Sequence, residues 1–259
     1  MNKPKTLCFT TIPGIPEIQA GDNLANIILK AIRDSGMRLE DGDVLVLAQK
    51  IVSKAEGRLI NLNTVTPSKE AIELAEFLDK RPELVELILR ESNEIVRKRP
   101  GTVIVEHKKG FICANAGIDH SNVKGPWGDD MDWVLLLPED SDASAAKIRS
   151  DIFVQTAKHV GVLIIDSHGR AWRNGVLGTT IGLSGMPALL DMRGEEDMYH
   201  YKLRVTTIGV ADELAAGASL MMGQASEGTP VILARGFPYK MREGHSSELL
   251  RPKERDLFR

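Results

Sequence analysis

Residues 160–175, with the sequence VGVLIIDSHGRAWRNG, hold side chains that could bind a cation and an anion side by side. The apolar run at 162–165 predicts a buried strand that ends at Asp166. The oxygens of Asp166 and Ser167 are donors that hard metal ions prefer, and the guanidinium groups of Arg170 and Arg173 match phosphate or carboxylate oxygens. The pattern suggests a metal that carries a nucleotide phosphate. The alternative is a strand followed by a polar turn with solvated arginines.

A second polar segment follows the strand predicted at residues 44–48, VLVLA. Lys50, Ser53 and Lys54 come directly after it, in a stretch that we interpret as a loop. Ligands bind at such strand ends in α/β sheets, so the two lysines are candidates for binding phosphate. A solvated lysine pair on the surface is the alternative.

A third segment follows a hairpin predicted from strands at 103–105 and 111–114. Asp119 is a candidate metal ligand there, and Asn122 could hydrogen-bond a ligand base or sugar. Both residue types also favour ordinary turns, which is the alternative interpretation.

A fourth segment, GQASEGT at residues 223–229, is a polar loop with glycines near both ends. Its backbone N–H groups could hold phosphate, although the Walker pattern is absent. Residues 11–20 contain two prolines and a glycine, which predicts either a loop that faces a ligand or a plain connector. A nucleoside triphosphate with divalent metals would use the polar side chains of all four segments: Lys50, Ser53, Lys54, Asp119, Asn122, Asp166, Ser167, Arg170, Gln224 and Glu227.

Hydrophobic periodicity and turn residues predict the elements that must position these side chains. Helices are predicted near residues 24–32, 69–78, 82–89, 142–159 and 211–222. Further strands are predicted at 133–137, 176–185, 203–209 and 231–234.

Composition restricts the class of protein. The chain has 259 residues, of which 42% are hydrophobic and 27% charged, as in ordinary globular proteins. The net charge of -3 gives no argument for nucleic acid or an anionic membrane as a partner. Neither a membrane-spanning run nor a signal-peptide core is found, so we expect a cytoplasmic protein. Cys8 and Cys113 are predicted to be small buried hydrophobic residues rather than a pair.

Several segments together resemble one known family. These are GIPEI, GDVLVLAQKIVSKAEG, ANAGIDHSNV, LLPEDSDASA, IIDSHGRAWRNG and DELAAGASLMMGQASEGTP. In order and spacing they are similar to the coenzyme F-420:L-glutamate ligase family over roughly residues 8–240. The resemblance implies an α+β fold of mixed β-sheets with flanking helices, distinct from P-loop and ATP-grasp folds. It also implies a homodimer, with residues 1–240 as the ligase unit. Residues 241–259 are charged and have few apolar residues, which predicts a tail that is extended or docked on a partner subunit.

The resemblance further implies a GTP-dependent amide ligase that adds L-glutamate to the lactyl-phosphate arm of the deazaflavin precursor, coenzyme F-420-0. Lys54, Asp119 and Asp166 would be catalytic. Two divalent ions, Mn²⁺ or Mg²⁺, are implied, with K⁺ as a candidate further ion. Asp119, Asp166, Ser167 and Gln224 would hold the metals. The residues expected to contact GTP are Ile15, Pro16, Glu17, Ile18, Gln49, Lys50, Lys54, Asn122, Met222, Gly223, Gln224, Ala225, Ser226, Glu227, Gly228 and Thr229.

Some residues depart from the pattern of the family. Ser167 replaces a common threonine and keeps the hydroxyl, whereas Gln224 replaces a frequent glutamate and makes a weaker second metal ligand. His120 and His168 are candidate bases for the incoming amine, or else structural histidines. Three other functions stay open: a ligase for another acceptor, a ligase that adds several glutamates, and a GTP-binding regulatory module without turnover.

Overall fold

The computed structural model describes residues 5–258. Its six helices in this range are α1 (Leu24–Asp34), α2 (Gln49–Ala55), α3 (Lys69–Leu78), α4 (Pro82–Arg90), α5 (Ser141–Thr156) and α6 (Val210–Met222). Its strands are β1 (Cys8–Thr11), β2 (Val44–Ala48), β3 (Leu59–Asn61), β4 (Ser92–Arg99), β5 (Thr102–His107), β6 (Ile112–Ala114), β7 (Trp133–Leu135), β8 (Gly161–Arg170), β9 (Arg173–Ser184), β10 (Leu190–Asp191), β11 (Thr207–Ile208) and β12 (Val231–Arg235). Helices and mixed sheets confirm the α+β class.

The main sheet has five strands in the order β1-β12-β2-β8-β9. Strands β2 and β8 are parallel, and the other neighbours are antiparallel. A three-stranded antiparallel sheet, β4-β5-β6, and the pairs β3-β7 and β10-β11 lie beside it. The parallel pair matters for the site, because the carboxyl ends of β2 and β8 meet at one edge.

Strand β2 is buried on both faces, as its unbroken apolar sequence predicts. Leu45 and Leu47 face one core, which α1 and α5 cover. Val44 and Val46 face the other, where the small residues of α6 pack. Helices α3 and α4 form a separate core with the three-stranded sheet. No helix in residues 5–258 is long and apolar enough to cross a membrane.

Strand β8 does not end at Asp166, so that prediction was wrong. It continues to Arg170 and returns through a tight hairpin as β9, with Ser167 opposite Gly178. The sequence becomes polar at Asp166, but backbone hydrogen bonds to β9 keep residues 166–170 in the strand. A hairpin that extends beyond the core can be polar, because antiparallel strands do not need to be buried on both faces. The chemical motif therefore lies on a paired strand rather than in a loop.

Helix α6 lies unusually close to β9. A Cβ atom at Gly178 would stand 2.6 Å from the carbonyl oxygen of Ala215 and 2.7 Å from Ser219 Cβ. Ser219 Oγ also accepts a hydrogen bond from Gly178 N at 3.2 Å. This close approach directs the end of α6, and the loop that follows it, towards Ser167.

Other differences from the predictions are local. Residues 49–55 form helix α2 rather than a loop, and only residues 207–208 of the predicted strand at 203–209 form a strand, β11. Strand β4 was not predicted at all. Cys113 is buried as expected, but Cys8 is exposed because it lies on the edge strand β1.

The described part of the tail, residues 241–258, packs against the main body of the chain. Glu243 accepts hydrogen bonds from Ser184 Oγ at 2.8 Å and from Gly185 N at 3.1 Å. Ser246 Oγ donates to Asp142 at 2.9 Å, and Leu249 packs against the core under α6. The division of the chain at residue 240 stays a prediction.

Candidate active site

A cavity of about 960 Å³ opens where the carboxyl ends of β2 and β8 meet. All sixteen residues expected to contact GTP line it, together with Asp166 and Ser167. They come from the proline-containing segment before α1, the start of α2, the segment after β6, strand β8 and the loop after α6. Its volume lies near the upper end of the usual range for ligand sites, roughly 300–1,000 Å³, which is room for a nucleotide with part of a second substrate.

Helix α2 presents its first turn to this cavity and to Asp119. Gln49 Nε2 donates to Asp119 Oδ2 at 2.6 Å, and Lys50 Nζ lies 3.0 Å from the same oxygen. Lys50 also donates to Ser121 Oγ at 3.4 Å. Asp119 itself lies behind Lys50 and Gln49, which form the wall.

Lys54 lies one turn further along α2, on the same face as Lys50. Its ammonium group is 2.6 Å from Glu17 Oε1, and its side chain is 15% exposed. Ser53 points the other way: its hydroxyl is buried and donates to Gln49 Oε1 at 2.8 Å. Ser53, one of the polar side chains expected to face the ligand, therefore positions Gln49 instead.

Strand β8 provides the second pair of candidate metal ligands. Ser167 Oγ donates to Gln224 Oε1 at 2.8 Å across 57 residues of sequence. Asp166 Oδ2 lies 3.0 Å from His168 Nε2, and both side chains are about nine-tenths buried. The hydrogen bond between Ser167 Oγ and Gln224 Oε1 thus joins the hairpin to the loop after α6 and places two oxygen donors side by side.

The loop at residues 223–229 already surrounds an anion of its own. Glu227 Oε2 accepts a hydrogen bond from Ala225 N at 2.8 Å. Backbone N–H groups of Ala225, Glu227 and Gln224 lower the pKa of Glu227, because they stabilise its ionised carboxylate. Asn122 Nδ2 donates to Ala225 O at 3.0 Å and links this loop to the segment after β6.

The negative charges of Asp119 and Asp166 act on each other. Burial raises the pKa of Asp119; the charge of Lys50 opposes this rise and the negative charge of Asp166 adds to it. The available donors are carboxylate, hydroxyl and amide oxygens, which fit Mg²⁺ or Mn²⁺. No cluster of three or more His, Cys, Asp or Glu side chains suited to a metal occurs within residues 5–258. A metal held here would therefore complete its shell with water and nucleotide phosphate oxygens, as Mg²⁺ commonly does.

Two predicted substrate residues do not line the cavity. Arg170 and Arg173 face each other at the exposed tip of the β8–β9 hairpin. Sequence reasoning also missed part of the wall, notably residues 123–126. Gly125 packs against the ring of Trp133, because a Cβ there would stand 2.0 Å from Trp133 Nε1.

Comparison with known proteins decides the family. The model of the family F420-0:Gamma-glutamyl ligase matches residues 14–236. The chain belongs to this family. It is 44% identical to the coenzyme F420:L-glutamate ligase of Methanothermobacter thermautotrophicus over 96% of this chain and 97% of that protein. It is 43% identical to that of Methanopyrus kandleri over 98% of both chains, and 46% identical to that of Methanocaldococcus jannaschii over 85% and 86%. The resemblance seen in the sequence segments is confirmed.

Proposed function

We propose that this protein is a GTP-dependent and divalent-metal-dependent ligase that joins L-glutamate to the lactyl carboxylate of coenzyme F420-0 and releases GDP and phosphate. Membership of the F420-0:gamma-glutamyl ligase family supports the substrates. The observation that carries the proposal is the meeting of Lys50, Lys54, Asp166 and the N–H groups of the 223–229 loop around one large cavity.

Amide formation needs an activated carboxylate. In the proposed sequence, a carboxylate oxygen of the precursor attacks the γ-phosphorus of GTP, and the bond from that phosphorus to the β,γ-bridging oxygen breaks. The amino nitrogen of glutamate then attacks the acyl phosphate carbon, phosphate leaves, and the nitrogen loses its proton. In the first step, negative charge develops on the phosphate oxygens of the transition state. Positively charged groups beside these oxygens therefore lower the barrier.

Different residues would neutralise the phosphate charge, bind the phosphate oxygens and hold the metal ions. Lys54, held by Glu17, and Lys50, held by Asp119, would neutralise charge on the phosphates. The N–H groups that now stabilise Glu227 would bind phosphate oxygens when nucleotide displaces that carboxylate. Asp119, Asp166, Ser167 and Gln224 would hold the divalent ions, which supply Lewis-acid stabilisation of the transferred phosphoryl group when bound.

Two further parts of the proposal extend beyond the cavity. Arg170 and Arg173, at the hairpin tip, would contact the distal part of the precursor. The product ends in a new glutamyl carboxylate, so the same chemistry allows further γ-glutamyl additions.

A homodimer is also part of the proposal. Several large apolar side chains are exposed, and a second subunit would cover some of them. They are Trp172, Met198, Tyr199, Tyr201, Val205 and Leu220. Light scattering at several concentrations would measure the assembly.

The decisive experiment is a mass-spectrometric assay. The purified protein is incubated with coenzyme F420-0, GTP, L-glutamate and Mn²⁺, and products heavier by one or more glutamyl units are expected. GTP binding without such products would support another acceptor carboxylate or a regulatory module. Absence of both products and GTP binding would remove the proposal.

A further inference from the structure

His168 contacts the Asp166 carboxylate from outside the large cavity. The two residues alternate with Ser167 along β8, so their side chains lie on the same face of the strand. His168 Nε2 is 3.0 Å from Asp166 Oδ2, and because an ionised carboxylate only accepts hydrogen bonds, the ring nitrogen is the donor. Asp166 lines the large cavity, whereas His168 does not. This hydrogen bond therefore fixes one oxygen of Asp166 and leaves the other available to a ligand in the cavity.

A row of aromatic rings holds the ring of His168 in place. Phe111, in the turn before β6, has its ring centroid 5.5 Å from that of His168. Phe111 in turn stacks on His107, with the centroids 4.9 Å apart and the planes 3° from parallel. Lys109 N donates a hydrogen bond to His107 Nδ1 at 3.2 Å, which fixes the last ring. Phe111 packs against the main core and against the core of the three-stranded sheet, so both cores support His168.

Stability alone does not explain the pair of His168 and Asp166. Both side chains are about nine-tenths buried, so each has lost most of its contact with water. Taking polar and charged groups out of water costs free energy, and replacing such a buried pair with apolar side chains is often neutral or stabilising. A carboxylate that binds a metal ion, in contrast, needs a hydrogen-bond partner that sets its orientation.

The two candidate metal carboxylates are held in different ways. Asp119 accepts a hydrogen bond from Gln49 and lies 3.0 Å from the ammonium group of Lys50. For the Asp166 carboxylate, His168 is the hydrogen-bond partner seen within residues 5–258. Loss of the His168 ring nitrogen would therefore leave Asp166 without a group that fixes its rotation.

We propose that His168 is a positioning residue, whose Nε2–H group holds the Asp166 carboxylate in the orientation that binds a divalent metal ion. This inference rests on the metal dependence in the proposed function. It gives the β5–β6 turn a role in the site, because Phe111 supports the ring of His168. In this role His168 is not the base for the incoming amine, since its ring lies outside the large cavity.

Two substitutions in the full-length protein separate the hydrogen bond from the packing of the ring. His168→Gln removes the ring but keeps an N–H donor the same number of bonds from the backbone, whereas His168→Phe keeps a ring beside Phe111 and removes the donor. Free Mn²⁺ is measured by electron paramagnetic resonance in the presence of GDP. The affinity for Mn²⁺ should fall by about 10–100-fold in His168→Phe and stay within about threefold of the wild type in His168→Gln.

The matched control is His159→Phe. His159 is exposed, lies beside the ring of Phe153 at 4.8 Å between centroids, and lines neither the large cavity nor the small one next to His168. This variant should bind Mn²⁺ as the wild type does. Urea unfolding of each variant measures the folded fraction separately from metal binding.

A double-mutant cycle tests whether His168 acts through Asp166. In an Asp166→Asn background, His168→Phe should cause no further loss of the residual Mn²⁺ affinity, because the carboxylate that His168 holds is already absent. Losses that simply add would overturn the inference. A greater loss in His168→Gln than in His168→Phe would also overturn it, because the ring rather than the hydrogen bond would then matter.

The wild-type protein separates failure of the inference from failure of the proposed function. If the wild type binds Mn²⁺ and forms glutamylated product while His168→Phe keeps the wild-type affinity for Mn²⁺, the positioning role is wrong and the proposed function stands. If the wild type binds no Mn²⁺ in the presence of GDP, the metal dependence in the proposed function fails and the positioning role fails with it.

Discussion

Gln49 Nε2 and Asp119 Oδ2 lie 2.6 Å apart although 70 residues separate them in sequence. This hydrogen bond joins the first turn of α2 to the segment that precedes β7. Ser53 holds Gln49 from the opposite side, so the Asp119 carboxylate has a fixed orientation beside Lys50. In the proposed reaction, a carboxylate with a fixed orientation would help to hold a divalent metal ion.

Asp119→Asn should remove metal-dependent activity without unfolding the protein. The substitution keeps the shape and removes the charge, so we expect turnover to fall by at least about 100-fold. Mn²⁺ binding in the presence of GTP, followed by electron paramagnetic resonance, should weaken in parallel. The control is Asp34→Asn, in an exposed pair with Lys30 on α1. Undiminished Mn²⁺ affinity in Asp119→Asn would contradict the assignment of this metal ligand.

Lys54→Met should slow the phosphoryl-transfer step. Lys54 is largely buried beside Glu17 at the cavity wall, so loss of its charge should lower kcat by about 100-fold. Lys30→Met on the exposed face of α1 removes the same charge without touching the cavity. Single-turnover GDP formation would measure the step, and equal rates for the two variants would refute a catalytic role for Lys54.

Gly178→Ala should destabilise the fold and disturb the site at a distance. The added methyl group overlaps the backbone of α6, which costs about 1–3 kcal/mol in the free energy of unfolding. Since α6 carries the 223–229 loop, the affinity for GTP should fall as well. Gly169→Ala is the matched control, because a Cβ there meets no atom within 4 Å. Urea unfolding of both variants measures the difference. Equal stabilities would show that the space between α6 and β9 can accommodate a methyl group at Gly178.

His107 should make stability depend on pH below neutrality. Burial, with the charges of Lys109 and Lys108, lowers its pKa to about 4 from 6.5. Below pH 6.5 the unfolded chain binds a proton that the folded protein excludes until about pH 4, so stability is lost as pH falls through this window. The loss from pH 8 to pH 5 is about 2 kcal/mol as an upper bound.

The His107→Phe substitution tests this effect, because phenylalanine does not titrate. Comparing the free energies of unfolding at two pH values removes any change in stability that the substitution causes at both. Urea unfolding at pH 8 and pH 5 should show a smaller loss in His107→Phe than in the wild type. His200→Phe changes an exposed histidine and should keep the wild-type loss. Identical losses in His107→Phe and the wild type would exclude His107 as the titrating group.

The sequence by itself determined the family, the α+β class and most of the cavity wall. Apolar runs such as β2 and amphipathic helices such as α1 carry their burial pattern in local spacing, so they can be predicted without partners. The residues expected to contact GTP came from the family resemblance, and all sixteen line the large cavity.

Tertiary structure decided which polar residues face the cavity. Asp166 lies within a strand because β9 pairs with it, and Ser53 turns inward because the buried Gln49 needs a partner. The packing of Phe111 on His168 and the fold-back of the tail depend on contacts between residues far apart in sequence. Such contacts leave no periodic pattern in the sequence. Their free energy comes from pairing and burial between distant segments rather than from the local propensity of each segment.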